Sequence, residues 1–170
     1  MSSYQTAFGS LDRYEKGVLT IINDDPKNYC FSNIFEVAGK SRPYEKVAVG
    51  KNLEYVIEAV RAEGTSDWFA ASHDEFVVVM DGEVTVTLVE LANHSSVVTA
   101  GKEGTVKLSS APQETPKGNR MGTIRLKRGH QALLPKGSAY QFSSTKPSVM
   151  LWQTLLGDLT VQKWREICLH

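Results

Sequence analysis

From Lys46 onward the chain alternates short β-branched apolar runs with turn residues. "KVAVG" is the first such run. "LEYVIEAVRAEG" fits two periods: Leu53, Val56, Ile57 and Val60 would share a helix face, while Leu53, Tyr55, Ile57 and Ala59 alternate as in a strand. The neighbouring pattern favours the strand. "EFVVVMDGEVTVTLVEL" places two apolar β-branched runs around Asp81-Gly82, which predicts a hairpin. Residues 100–122 are poor in aromatics and rich in Lys, Ser, Gly and Pro, as expected of a surface excursion with a short strand at "GTVKL". "GTIRLKRG", "HQALLPKG", "AYQFSS" and "SVMLWQTLLG" follow as further strand candidates. Short strands at regular spacing predict an all-β sandwich, barrel or jelly roll.

The flanks are patterned differently. Near the N-terminus, "GVLTII" reads as a strand and "DDPKN" as a turn or a helix start. Phe31, Ile34, Phe35 and Ala38 fall at helical spacing, although alternation also fits. Tyr4, Phe8, Tyr14, Tyr29, Phe31 and Phe35 lie outside the barrel pattern. They read as an arm that embraces a partner, the competing reading being that they pack back on the barrel. In the tail, Val161, Trp164, Ile167 and Cys168 have helical spacing, with Thr160 as N-cap. The expected organisation is therefore an arm over residues 1–45, a barrel over 46–157 and a C-terminal helix over 158–170, with no internal repeat.

Composition narrows the function classes. The 170 residues carry 19 basic and 19 acidic side chains, a formal net charge of zero, so no global field draws nucleic acid or anionic lipid. The first 17 residues show no basic region followed by an apolar one, and no apolar run is long enough to span a bilayer. A soluble, cytoplasmic protein without a membrane partner is expected. Cys30 and Cys168 are too few and too far apart for a zinc motif and read as reduced thiols.

The candidate chemistry lies between Ser66 and Val84, where His73, Asp74 and Glu75 stand in a row. Glu75 is followed by six residues and then Gly82; Gly129 is followed by five residues, Pro135, one residue and Gly137. Both spacings resemble the cupin family, small jelly-roll barrels whose motifs supply His, His, Glu and His to one divalent metal. The frame is present and the ligands are not. The first two His positions fall on Phe69 and Ala71, or with a spacer one residue longer on Trp68 and Ala70. The third falls on Tyr140, and the motif's Asn position falls on Ser144. Of the metal positions Phe69, Ala71, Glu75 and Tyr140, only Glu75 keeps a ligand. A carboxylate and a phenol do not replace three imidazoles, so no metal is expected in this chain. Tyr140 is instead expected to satisfy the buried Glu75 with a hydrogen bond. The competing arrangement is a facial set of His73, Glu75 and His130, since His73 and Glu75 share a strand face. His94 and His170 read as solvated.

The resemblance extends beyond the cupin frame. "YEKVAVGKNLEYVIEAVRAEGTSDWFAASHDEFVVVMDGEV" and "RGHQALLPKGSAYQF" resemble the small (α) subunit of two-component hydroquinone dioxygenases, over about Tyr4 to Cys168. The resemblance implies a mainly-β fold: a single cupin-type jelly-roll β-barrel. It implies a place in an enzyme that cleaves hydroquinone with O2 and Fe(II) to 4-hydroxymuconic semialdehyde, in 4-nitrophenol or 4-hydroxyacetophenone breakdown. Iron would sit in a larger cupin-like β subunit, within an α2β2 assembly, and this chain would bind no cofactor. Trp68, at the start of the degenerate motif, has two readings. It fills space or an interface, or it lends an aromatic face to a shared active site. A stand-alone binding module for an aromatic or sugar ligand is the remaining alternative.

Overall fold

The computed structural model describes residues 33–51, 54–94, 103–109 and 111–163. Helix α1 (Ile34–Lys40) opens it. Asn33 caps α1: its Oδ1 accepts from the backbone N–H of Phe35 at 3.1 Å and of Glu36 at 3.3 Å. Glu36 in the first turn and Lys40 in the last match the helix dipole and pair with each other at 2.6 Å. Val37 faces inward onto Val47 and Ala59. The part of the expected arm before residue 33 lies outside the described residues.

The strands are β1 (Lys46–Lys51), β2 (Tyr55–Ala71), β3 (Glu75–Asp81), β4 (Glu83–Leu91), β5 (Thr105–Lys107), β6 (Gly118–Lys127), β7 (Gln131–Leu134), β8 (Ser138–Leu155) and β9 (Thr160–Val161). Two of them are long. β2 and β8 pair antiparallel along nearly their whole length, from Tyr55 opposite Leu155 to Ala70 opposite Ala139. The ambiguous "LEYVIEAVRAEG" is thus strand, and "EGTSDWF", which reads as a loop, continues it. The separate candidates "AYQFSS" and "SVMLWQTLLG" are one strand with a bend at Ser144–Ser148. Pro147 sits in that bend, where no ladder donor is needed.

Asp81-Gly82 does not make the hairpin its sequence predicts. β3 pairs with the β8 segment 149–153, while β4 pairs with 138–143 of the same strand. The two are therefore nearly collinear, and Asp81-Gly82 is the corner between them. β7 and β6 repeat the arrangement one strand further out, pairing with β3 and β4 respectively. Corners at Gly64, Ser144–Ser148, Gly82 and the Lys127–His130 turn fall side by side. Gly64 pairs with Ser144, Gly82 packs on Ser148, and the Val79 N–H donates to the His130 carbonyl. The sheet folds over along this line, as bulges and glycines allow. One leaf runs β9-β1-β2-β8-β3-β7 and the other β5-β2-β8-β4-β6.

Between the leaves lie Val60, Val77, Val86, Leu134, Phe142, Met150 and Trp152, all but inaccessible to solvent. The tail meets the barrel as the parallel strand β9, with Lys46 opposite Thr160 and Val47 opposite Val161. Thr160 is therefore in a strand and not an N-cap; its hydroxyl donates to Glu58 Oε1 at 2.7 Å. The rest of the expected C-terminal helix, from residue 164, lies outside the described residues.

Candidate functional site

Alternation on β2 decides which side chains enter the barrel. Phe69 packs among the inner aromatics, whereas Trp68 and Ala70 face the other way, into a cluster with Val89, Leu91, Leu108 and Ala139. Register places Phe69 opposite Tyr140 on β8. The inner side chains of β8 then continue through Phe142 to Trp152. Phe142 and Trp152 meet edge to face at 5.0 Å, Phe69 and Trp152 at 5.5 Å, and Tyr140 and Trp152 at 5.8 Å. These rings fill the space between the leaves.

Glu75, the first residue of β3, sits among them with a fully buried side chain. Both of its oxygens are saturated. Oε2 accepts from the Tyr140 hydroxyl and from Trp152 Nε1 at 3.1 Å. Oε1 accepts from Thr105 Oγ1 at 2.6 Å and from the Thr154 hydroxyl. The expected phenol–carboxylate hydrogen bond is thus present. Burial, and next the charge of Glu75, hold the Tyr140 phenol well above its ordinary pKa.

A second buried acid and a buried base adjoin this centre. Lys46 on β1 and Glu58 on β2 turn inward from adjacent strands, with Nζ 2.7 Å from Glu58 Oε2. The same ammonium donates to Thr105 Oγ1 at 2.8 Å and lies 3.3 Å from the Trp152 ring centroid. Thr105 thereby links the ammonium to Glu75 through one hydroxyl. Neither Lys46 nor Glu58 stands out in the sequence: each occupies an alternating position in a strand whose neighbours are apolar. The signal that could have found them is a charged residue at an inward position of an otherwise apolar face.

His73 lies beside Glu75, its Nε2 3.6 Å from Oε1, and accepts from the Leu155 N–H at 3.3 Å. Its Nδ1 is buried without a hydrogen-bond partner among the described residues. His130 is elsewhere: it closes the β6–β7 turn, exposed, and its Nδ1 accepts from the Lys127 N–H at 3.0 Å. It stands beside Val79, four residues along β3 from Glu75, about 13 Å of strand. The facial arrangement of His73, Glu75 and His130 is therefore not assembled, and no three His, Cys, Asp or Glu side chains gather as ligands among the described residues. His94, expected in solvent, is partly buried, with Nε2 2.9 Å from the Ala71 carbonyl oxygen. The Trp68 indole N–H finds no acceptor among the described residues.

This folded-over, mainly-β sheet with its inner carboxylate has the cupin fold. The fold recurs in a cupin-2 domain protein from Shewanella frigidimarina NCIMB 400, at 15% identity over 72% of this chain and 90% of that one, TM-score 0.50. The specific likeness is to hydroquinone 1,2-dioxygenase. A chain of the Sphingomonas sp. TTNP3 enzyme, solved with 4-hydroxybenzoate bound, is 55% identical, with 96% of each chain covered and a TM-score of 0.81. A chain of hydroquinone 1,2-dioxygenase PnpCD, solved with Cd2+ and 4-hydroxybenzonitrile, is 52% identical over 99% of this chain and 98% of that one, TM-score 0.77. The chain belongs to the hydroquinone 1,2-dioxygenase family. No protein-family model matches it, and no curated protein does. The barrel also aligns at 12% identity with a longer chain, of which it covers 36%, in PnpCD solved with Fe3+, TM-score 0.57; this likeness is one of fold.

The inner residues here do not fit an iron ion. Phe69 and Ala71 have no ligand atom, both Glu75 oxygens already accept two hydrogen bonds each, and a lysine ammonium stands one hydroxyl away.

Proposed function

We propose that this chain is the smaller subunit of an Fe(II)-dependent hydroquinone ring-cleaving dioxygenase, binds no metal itself, and supports a larger, iron-bearing cupin-like subunit. The observation that carries the reading is a full-length likeness to chains of hydroquinone 1,2-dioxygenase joined to an interior whose ligand positions hold Phe69, Ala71 and Tyr140. Structures of PnpCD contain a chain of this length and a longer chain of related fold, which supports a division of labour between two subunits. On this reading the complex, an α2β2 assembly in the cytoplasm, converts hydroquinone and O2 to 4-hydroxymuconic semialdehyde in 4-nitrophenol breakdown. Aromatic filling of the barrel weighs against a stand-alone module holding an aromatic or sugar ligand inside it.

Trp68 is this chain's candidate for a contribution to the shared active site. Its ring is held by Leu91 and Leu108, and its indole N–H is buried without an acceptor among the described residues, so it would serve a group of the partner only if assembly opens that position. The reconstituted enzyme tests the overall reading. The purified chain should retain no iron after dialysis and cleave no hydroquinone, and activity should appear on adding the larger subunit. Ring cleavage by this chain alone with Fe(II) would overturn the proposal.

A further inference from the structure

We infer that the Lys46 ammonium is a built-in cation that takes the electrostatic place of the metal and keeps divalent ions out of the barrel. The inference rests on the metal-free reading above and supplies its physical cause. Loss of His ligands alone explains weak metal affinity. It does not explain why a lysine, with its solvation cost, is buried at the heart of the molecule.

The geometry supplies the reason. Two buried carboxylates are costly to keep ionised without a cation close by. Here Glu75 and Glu58 are both fully buried, and the Lys46 side chain between them is 2% exposed. Lys46 meets Glu58 directly at 2.7 Å, reaches Glu75 through Thr105, and lies on the face of Trp152 at 3.3 Å from the ring centroid. Trp152 in turn donates its N–H to Glu75. One ammonium thus touches every member of the centre directly or through one group. An ion entering beside Glu75 would stand within about two hydrogen-bond lengths of that ammonium, with little water to screen the repulsion. It would also displace the donors that Tyr140, Thr105 and Thr154 give to the carboxylate. Strand pairing fixes the arrangement: β9 lies against Lys46 in register, and Thr160 holds the other oxygen of Glu58 at 2.7 Å.

The test restores the missing ligands with and without the lysine. Full-length chains carrying Phe69→His, Ala71→His and Tyr140→His are compared with chains that also carry Lys46→Met, by calorimetric titration with Zn2+ and Fe2+. The ligand-restored chain should bind only weakly while Lys46 is present. Adding Lys46→Met should tighten binding by about a hundredfold or more. Equal affinity in the two chains overturns the inference. The thermal stability of simpler variants guards against misfolding of these. Lys46→Met alone should lower Tm sharply, and Lys46→Met with Glu58→Met should recover only the share due to Glu58, since the buried Glu75 is still left without its cation. Full recovery would show that Lys46 serves Glu58 alone and would overturn the inference. A Lys46→Met chain as stable as wild type would also overturn it. Iron bound by the wild-type chain would instead sink the metal-free reading, so the two failures are distinguishable.

Discussion

At the scale of single residues, Tyr140 shows how the buried Glu75 carboxylate is satisfied. The sequence places a tyrosine where a ligand histidine would stand; the structure turns its hydroxyl onto Glu75. Removing the hydroxyl as Tyr140→Phe leaves a buried carboxylate one donor short, at a cost of about 2 kcal/mol by urea denaturation at neutral pH. The phenol also makes stability depend on alkaline pH. Its folded-state pKa is raised above the unfolded value of about 10, so its contribution is fully present below about pH 10 and is lost as pH climbs toward the folded-state value. Tyr44, raised by burial and by the nearby charge of Glu63, acts in the same direction. In an alkaline titration followed by phenolate absorbance, Tyr140 should ionise together with unfolding and not before. Tyr140→Phe should flatten the fall of stability above pH 10. An unchanged slope would show that the phenol is not what couples stability to alkali. This interaction was legible beforehand because motif spacing named both partners. Lys46 and Glu58 were not, since nothing local distinguishes an inward lysine on a strand from an outward one until the register with β2 and β9 is known.

At the scale of elements, strand positions were largely readable and their connections were not. Alternation located β3 and β4 well because each has a buried and a more open face. The corners misled because a glycine with positive φ serves a tight hairpin and a strand bend equally well. Gly82 has φ +80°, and a Cβ there would lie 2.1 Å from Ser148 Oγ and 2.7 Å from its Cβ. That serine and Ser144, 3.0 Å apart, tie the corner together: Ser148 Oγ accepts from the Glu83 N–H, and Ser144 donates to the Glu83 carbonyl. Gly82→Ala should therefore cost about 2–4 kcal/mol, combining left-handed backbone strain with overpacking. Gly129, with φ +84° and open space where its Cβ would go, should cost about 1–2 kcal/mol as Gly129→Ala, from backbone strain alone. Adding Ser148→Ala to Gly82→Ala should recover only part of the loss, because the backbone strain and the close approach to the Cβ of residue 148 both remain. Equal urea midpoints for the Gly82 and Gly129 variants would refute the crowded-corner account.

At the scale of the whole molecule, family membership fixes the setting and leaves open what this barrel gives its enzyme. Trp68 is where the question is sharpest. The motif spacing allowed it to be inward or outward, and only the pairing of β2 with β8 decides: Phe69 faces the inner aromatics while Trp68 packs beneath Leu108, whose N–H donates to the Trp68 carbonyl at 2.8 Å. Truncation as Trp68→Ala confuses two effects, since emptying so large a buried site costs about 3–5 kcal/mol whatever else the ring does. Trp68→Phe separates them. It keeps most of the apolar contact and deletes the indole N–H, the one part of the side chain left without a partner among the described residues. The assembled enzyme carrying Trp68→Phe should form normally, by sedimentation, with a midpoint of thermal unfolding within a few degrees of wild type. If the N–H serves the shared active site, KM for hydroquinone should rise about fivefold or more, the order expected for one lost hydrogen bond to a neutral group. An unchanged KM and kcat in an intact complex would make Trp68 a packing residue, and on the proposed reading this chain would then contribute shape and no chemical group to the assembly.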